Sequence, residues 1–327
     1  MKSVANIRIH ASQFPENVRR DLLASLRTRR VNHKFHYDSI KQTQKWLALH
    51  EAHSPARLDE NCLRTYDLAF AAAAKKIKAQ SVHVVGLGCG GGQKDAQLLG
   101  LLKSHGQEIF YTPCDVSTAM VLVARQAALA VLPATKCFPF VCDLATADDL
   151  SGMFAQSPAP RAARLLTFFG MIPNFAPQEI LPKLAALVRP QDWLLFSANL
   201  APGKNYAAGV ATVLPQYDNA LTREWLQAFL TDLGVERSRG HLVFKINGDA
   251  ANGLKRITAG FHFTRPCRLQ TGADVFQFRA GETIRLFFSY RYTPDRVRRV
   301  LSRHGLEVRD AWIAESGEEG VFLCRRK

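Results

Sequence analysis

The sequence predicts an α/β protein whose core is a doubly wound, mostly parallel sheet, with an α+β region inserted into it. Short apolar runs alternate with helix-like stretches along residues 81–199, as in a parallel sheet covered by helices on both faces. A glycine-rich turn at 86–92 follows the first apolar run. The alternation stops after residue 200 and returns only near the C-terminus, so we infer an insertion into one core.

The region before the first apolar run is predicted to be helical. Residues 13–48 place apolar side chains at helical spacing. Pro55 interrupts this pattern, and a long helix is predicted over 58–79 with Asp59 as its N-cap.

The alternating region supplies the strands and covering helices of the predicted core. The predicted strands are 81–87, 108–114, 137–142, 163–169 and 193–199. The predicted helices lie near 93–104, 117–132, 146–155 and 177–188. Strand–helix steps of this length give parallel neighbours in one sheet.

The region after residue 200 mixes both kinds of element. A helix is predicted around 220–233, and the later predicted elements are extended runs at 255–264, 272–279 and 282–292, a helix at 294–304 that Pro294 opens, and strands at 307–313 and 320–325. The last strands return the chain to the core sheet.

The composition excludes several classes of protein. With 47% hydrophobic residues among 327, the chain is too apolar to be disordered, and no stretch approaches the ~20 apolar residues of a membrane helix. The first residues lack the apolar segment of a secretory signal, and seven cysteines occur without CxxC pairs. We therefore expect a cytoplasmic protein with reduced thiols and no membrane partner.

The charge is strongly basic but unevenly distributed. The net charge is +15, from 43 Lys and Arg against 28 Asp and Glu. Residues 1–50 and 241–327 each have a charge of +7. A basic surface can attract nucleic acid, but aromatic residues are not interleaved with these charges as a stacking platform requires. We predict a solvated basic exterior and no nucleic-acid partner.

The glycine-rich turn predicts a ligand site. Gly86, Gly88 and Gly91 satisfy the GxGxxG pattern between a strand and a helix, where the backbone can approach a ligand and the helix N-terminus favours anionic groups. The turn is not a P-loop, because Gln93 rather than glycine precedes Lys94. A dinucleotide or another adenosine-containing cofactor is therefore allowed.

Acidic residues at the next two strand ends narrow the choice of cofactor. Asp115 ends the second predicted strand, where a carboxylate can bind a ribose diol. Asp143 ends the third, where it suits an adenine amino group with Leu144 against the ring. This arrangement favours S-adenosylmethionine over NAD. Asn174 follows the fourth strand, where its amide could align an amine or cap the next helix.

Motifs along most of the chain resemble those of the histidine-specific S-adenosylmethionine-dependent methyltransferase family. The motifs are FHYD at 35–38, GCG at 88–90 with Lys94, CDVS at 114–117, CDL at 142–144, FG at 169–170 with Asn174, QYDNA at 216–220, RAGE at 279–282 and SYRY at 289–292. The resemblance implies a Rossmann-like class I methyltransferase core.

The resemblance also implies which residues bind each ligand. The cofactor S-adenosylmethionine, whose demethylated product is S-adenosylhomocysteine, would be held by the following residues: Gly88 and Gly90 at its methionine part, Lys94 at its carboxylate, Asp115 at its ribose, and Asp143 with Leu144 at its adenine. Tyr37, Asn174 and Tyr217 would hold the amino and carboxylate groups of an amino-acid substrate. The core would comprise residues 59–201 and 292–327, and the substrate-binding domain residues 1–58 and 202–291.

The sequence departs from the family in the predicted substrate pocket. Ser289 is kept, but the glutamate two residues before it is replaced by Phe287. A pocket methionine is replaced by Ala259. His53, which the resemblance implies as a cofactor-binding residue, stands at the tyrosine that precedes a Pro-x-Arg turn. The loop between Gly170 and Asn174 is one residue shorter. We therefore expect N-methylation of the α-amino group of an amino acid or amino-acid-derived small molecule, aromatic or apolar rather than histidine.

The expected mechanism is alignment of a neutral amine by Asn174 and Tyr217, and no general base or metal site is predicted. HxxH occurs at 33–36 and 50–53, but without CxxC partners we interpret these histidines as structural or surface residues. Three alternatives remain open: an RNA or protein methyltransferase that uses the basic ends, a non-catalytic cofactor-binding regulator, and an NAD-dependent oxidoreductase. The oligomeric state is not predicted.

Overall fold

The computed structural model describes residues 4–155 and 158–327 and begins with a helical region. Its elements are β1 (Arg8–Ile9), α1 (Pro15–Thr28), α2 (Ile40–His53), α3 (Pro55–Leu58) and α4 (Glu60–Lys76). The N-cap of α4 is Asp59, as predicted, because its carboxylate accepts from the amides of Asn61 and Cys62. None of the helices in the described ranges is long and apolar enough to cross a membrane.

The alternating region forms the predicted strands and helices. They are β2 (Ser81–Leu87), α5 (Gln93–Ser104), β3 (Glu108–Asp115), α6 (Thr118–Ala128), β4 (Phe140–Val141), α7 (Leu150–Ala155), β5 (Ala163–Phe168), α8 (Pro177–Leu187) and β6 (Trp193–Asn199). The strands are buried along almost their whole length because helices cover both faces of the sheet.

The remaining elements form the insertion and the return to the core. The insertion contains α9 (Tyr206–Val213), α10 (Ala220–Asp232), β7 (Gly240–Asp249), β8 (Leu254–Phe263), β9 (Cys267–Thr271), β10 (Asp274–Phe278) and β11 (Thr283–Arg291). The return consists of α11 (Pro294–Arg303), β12 (Leu306–Ile313) and β13 (Glu319–Arg326).

The core sheet has the strand order β1-β4-β3-β2-β5-β6-β13-β12. The pairs from β1 to β6 are parallel, and β13 runs antiparallel to β6 and β12. The predicted α/β class is confirmed. The order reverses at β2, which has β3 on one side and β5 on the other, and ligands bind at such a reversal beyond the carboxyl ends of the strands.

The insertion contributes a second sheet, in the order β11-β8-β7, and a separate hydrophobic cluster. This cluster joins residues such as Leu26 and Phe35 to Trp225, Phe261 and Phe287, and all its members come from residues 1–58 and 202–291. Other residues of these segments pack on the core instead: Leu254, Phe288 and Tyr290 belong to the hydrophobic cluster of the core sheet. In addition, β1 extends the edge of the core sheet from within the N-terminal segment.

Several predicted boundaries are corrected by the structure. The predicted helix over 13–48 is two helices, because Arg29 adopts a left-handed conformation and the chain then pairs with β11 through Val31 and Arg285. The strand predicted at 137–142 keeps only two paired residues.

Some elements were missed in the sequence. Elements β1, β7, β9 and α9 were not predicted, since glycine and polar residues interrupt their apolar pattern or the runs are very short.

Candidate functional site

A cavity of about 400 Å³ opens at the carboxyl ends of the core strands, between the core sheet and the inserted region. Residues from the β2–α5 turn and from the ends of β3 and β4 line its core side, and residues from α2, α10 and β11 line the opposite side. The topology therefore places the cavity at the reversal of strand order, as expected for a doubly wound sheet.

The glycine turn forms the floor of the cavity next to β2. Gly88 and Gly90 have positive φ angles of 69° and 50°, which other residues rarely adopt. The amide of Gly88 donates to the carbonyl of Cys114 at 2.8 Å, and the amide of Gly90 donates to Oδ2 of Asp115 at 3.1 Å. A Cβ at Gly90 would lie 3.2 Å from the Trp46 ring, so glycine keeps space open between turn and ring.

Asp115 is a buried carboxylate at the end of β3. It is 8% exposed, and its Oδ1 accepts from the amide of Ser117 at 3.1 Å. Burial raises its pKa to about 6, against backbone hydrogen bonds from Ser117, Gly90 and Val116 that lower it. The carboxylate keeps lone pairs that face the cavity and could accept from ribose hydroxyls.

Asp143 presents an oxygen that has no hydrogen-bond donor. Its Oδ1 accepts from the amide of Ala145 at 2.9 Å, whereas its buried Oδ2 has no hydrogen-bond partner. Lys34 Nζ lies 3.5 Å from Oδ2, and Leu144 is buried beside it. An exocyclic amino group of adenine would supply the missing donor. The strand-end residues thus fit the adenosine of S-adenosylmethionine.

Lys94 lies in the first turn of α5, after the glycine turn, and belongs to a buried polar cluster. Its Nζ donates to the Tyr66 hydroxyl at 2.7 Å, and that hydroxyl donates to Oε1 of Glu319 at 2.5 Å. Burial lowers the pKa of Lys94, and the nearby Glu319 carboxylate opposes the change. A cation at this end of the cavity suits the cofactor carboxylate. Tyr66 and Glu319 were not identified from the sequence, because they are far from the glycine motif in the chain.

The predicted amine-binding residues line the same cavity. Asn174 ends a 3-10 helix at Ile172–Asn174 just after β5. The Tyr217 hydroxyl lies 2.9 Å from Oγ of Ser289. The ring of Tyr37 is 5.5 Å from that of Trp225, and burial raises the pKa of the Tyr37 hydroxyl. Three predicted polar side chains therefore line one cavity although their positions span residues 37–217.

Phe287 forms part of an aromatic wall on the inserted side of the cavity. Its ring centroid lies 6.0 Å from that of Tyr217, 5.9 Å from Trp225 and 5.5 Å from His33. Burial lowers the pKa of His33 to about 3, so its imidazole is neutral near neutral pH.

Ala259 does not line the cavity. It pairs with Phe287 across β8 and β11, is 0% exposed and belongs to the hydrophobic cluster of the insertion. The structure therefore does not bring Ala259 to the cavity with the other predicted residues, because its side chain is enclosed in the hydrophobic cluster of the insertion. His53 does contribute to the lining, from the last turn of α2.

Arg291 is a cavity residue that sequence reasoning missed. It is 4% exposed and donates from Nη2 to the Tyr217 hydroxyl at 2.9 Å. The signal was present in the sequence, because Phe287, Ser289 and Arg291 alternate along one strand and must share a face.

Among the histidine motifs, His36 is buried outside the cavity lining, whereas His33, His50 and His53 line the cavity. His36 hydrogen-bonds to the Leu286 carbonyl at 2.7 Å, and His50 stacks on Trp46 with ring centroids 4.8 Å apart. Within the part of the chain that the structure describes, no group of three or more His, Cys, Asp or Glu residues could hold a metal ion.

Comparison with known proteins gives one matching family model and one similar curated protein. The family described as histidine-specific methyltransferase, SAM-dependent, matches residues 18–326. The N-methyltransferase imqF of Aspergillus flavus is 25% identical over 274 residues, which cover 81% of this chain and 72% of that protein.

Solved structures show slight similarity. Magnesium protoporphyrin IX methyltransferase from Synechocystis PCC 6803 has a TM-score of 0.45 at 12% identity, over 90% of this chain and 97% of that one. The CcbJ methyltransferase of Streptomyces caelestis has a TM-score of 0.40 at 12% identity, over 80% of this chain and 88% of that one.

Proposed function

Because the chain belongs to the family of histidine-specific, S-adenosylmethionine-dependent methyltransferases, we propose that this N-methyltransferase acts on the α-amino group of an aromatic amino acid. The observation that carries the proposal is the position of Phe287. It lies in the cavity wall among other aromatic rings, where the family pattern has a glutamate. Residues 1–58 and 202–291 are proposed to form the substrate-binding domain.

The cofactor is proposed to lie along the core side of the cavity. In this orientation Lys94 meets its carboxylate, Gly88 and Gly90 its methionine chain, Asp115 its ribose, and Asp143 with Leu144 its adenine. The donor-free Oδ2 of Asp143 and the positive φ angles of the two glycines support this orientation. His53 lies farther along the cavity lining, at the end of α2, and is proposed to flank the cofactor.

The chain's task in the reaction is to orient a neutral amine. Bound S-adenosylmethionine supplies an activated methyl group, so that an N–C bond forms as the S–C bond breaks. Asn174 is proposed to direct the lone pair of the amine by accepting from its N–H, the Tyr217 hydroxyl to hold the substrate beside it, and Tyr37 to close the site. Burial in this cavity disfavours the ammonium form, and alignment can lower the barrier by several kcal/mol.

Substrate choice is proposed to depend on the aromatic wall. The imidazole of a histidine substrate would find Phe287 where the family has a glutamate, so its N–H would have no carboxylate to accept it. An unpaired buried polar group costs about 1–3 kcal/mol. An aromatic side chain instead gains edge or offset contacts with Phe287, Tyr217 and Trp225. The neutral ring of His33 adds a further ring face, while its two unpartnered nitrogens and the Ser289 hydroxyl remain available for a polar contact.

Steady-state assays with a panel of amino acids test this proposal. Histidine, tryptophan, tyrosine, phenylalanine and leucine are compared by kcat/KM, and an aromatic amino acid is expected to exceed histidine by about ten- to a hundredfold. The highest kcat/KM for histidine would overturn the proposal. In the Phe287→Glu variant, relative turnover of histidine is expected to rise. Phe276→Leu is the matched control, because Phe276 belongs to the hydrophobic cluster of the insertion but lies on β10 and does not line the cavity.

A further inference from the structure

Arg291 is a buried cation that faces the cavity. It lies on the same face of β11 as Phe287 and Ser289, and all three line the cavity. Its side chain forms no ion pair with any carboxylate of the described residues, although its exposure is only 4%. A buried charge is costly unless it is paired, so the cavity contains a positive charge that an anionic ligand can neutralise.

The hydrogen bonds of Arg291 leave part of its guanidinium free. Nη1 donates to the Leu200 carbonyl at 3.1 Å, Nη2 donates to the Tyr217 hydroxyl at 2.9 Å, and Nε has no partner. The guanidinium carbon lies 5.3 Å from the centroid of the Tyr217 ring. The two side chains therefore form one unit at the inserted side of the cavity.

This unit controls the direction in which the Tyr217 hydroxyl can donate. Arginine has only donors, so the Tyr217 oxygen must accept from Nη2. Ser289 lies 2.9 Å from the same oxygen and can fill its other lone pair as a donor. The Tyr217 proton is then free to point into the cavity. A ligand group that accepts this proton and also carries a negative charge would satisfy both Tyr217 and Arg291.

We propose that Arg291 is a positioning residue that selects substrates with a carboxylate next to the amine. Its charge complements the carboxylate, and its N–H keeps the Tyr217 hydroxyl as a donor toward it. An amine without that carboxylate leaves both groups unpaired. The inference rests on the proposed function for the amine, but it concerns the carboxylate and does not depend on which side chain the aromatic wall accepts.

The test compares each amino acid of the panel with its decarboxylated amine, such as tryptophan with tryptamine and histidine with histamine. In the unmodified protein the amino acid is expected to exceed its amine by about ten- to a hundredfold in kcat/KM, the range of one charge-assisted hydrogen bond. Arg291→Met is expected to remove most of that preference by raising KM for the amino acid. Arg291→Lys is expected to keep much of it.

Arg256→Met is the matched control, because Arg256 contacts Tyr290 on the other face of the sheet and does not line the cavity. It should leave the amino acid to amine ratio unchanged. If Arg291→Met does not fold, Tyr217→Phe reports the same preference, since it removes the donor that Arg291 directs.

The outcomes separate this inference from the proposed function. Equal use of amino acids and amines by the unmodified protein, or an unchanged ratio in Arg291→Met, overturns the role of Arg291 whatever the side-chain preference. A preference for histidine over its aromatic rivals, with histamine rejected, overturns the aromatic proposal and supports Arg291. Turnover of no amino acid and no amine overturns both.

Discussion

The buried carboxyl of Asp115 links cofactor binding to pH. Its pKa is raised to about 6, so the carboxyl gains a proton as the pH falls below neutrality. The carboxylate is the form that accepts from ribose hydroxyls, so affinity for S-adenosylhomocysteine is expected to fall from about pH 8 to about pH 5. Asp115→Ala is expected to weaken binding by roughly 1–3 kcal/mol. Calorimetric titration across this range measures both effects, and Asp115→Asn, the control, should show little pH dependence.

The same residue has the opposite effect on stability. Since its pKa is higher in the folded chain than its ordinary value of 3.8, the folded state binds the proton more tightly. The contribution of Asp115 to the free energy of unfolding therefore rises as the pH falls through 6 toward 4. As the pH falls, cofactor affinity should therefore decrease while this contribution to the stability of the cofactor-free protein increases. A decrease of both quantities would contradict the assignment.

Single residues differ in how far the sequence could predict their position. Asp115 and Asp143 were predictable, because the carboxyl ends of parallel strands meet at one edge of the sheet. Ala259 was not, because its pairing with Phe287 depends on the register of two strands in the insertion. The charge environment of Arg291 depends on Tyr217 and Leu200, which approach it only in three dimensions.

Among the elements, the β2–α5 turn has the strictest backbone requirement. In Gly90→Ala, the left-handed conformation costs about 1–2 kcal/mol and the new Cβ meets the Trp46 ring at 3.2 Å. We expect the turn to relax, to lose the Gly90 bond to Asp115 and to bind the cofactor roughly 5–30-fold more weakly. Gly100→Ala in α5 is the control, because its Cβ has nothing within 4 Å and alanine favours a helix. Calorimetry of both variants decides: equal affinities would show that the turn tolerates a side chain.

Elements of the core were more predictable than those of the insertion. In the core, apolar runs and amphipathic helices alternate, and β2 and β6 have the predicted bounds. In the N-terminal region, the break after α1 depends on a long-range pairing of Val31 with β11, which leaves no local signal. The strand β7 is half-exposed and rich in polar residues, so its sequence does not alternate clearly.

At the scale of the whole molecule, the packing of the N-terminal helices on the insertion bears on the net positive charge. Many basic residues of the first 50 contact acidic residues of the insertion: Arg19 and Arg27 pair with Asp274, Lys41 with Asp232, and Lys45 with Glu224. These pairs lie across the packing of α1 and α2 on the inserted region. They reduce the local positive potential that the sequence alone indicates for residues 1–50.

We therefore expect weak, non-specific binding of nucleic acid despite the net charge of +15. At about 0.15 M salt, a random RNA should bind no more tightly than the ~10⁻⁴–10⁻⁶ M of purely electrostatic contacts, with an affinity that falls steeply as salt rises. Fluorescence anisotropy at several salt concentrations measures this. The Lys41→Ala, Lys45→Ala double variant serves as a control, because it removes charges that are already paired and should change RNA affinity little. Sub-micromolar affinity that persists at higher salt would mean that these segments form a nucleic-acid surface, and a macromolecular acceptor would then have to replace the amino acid.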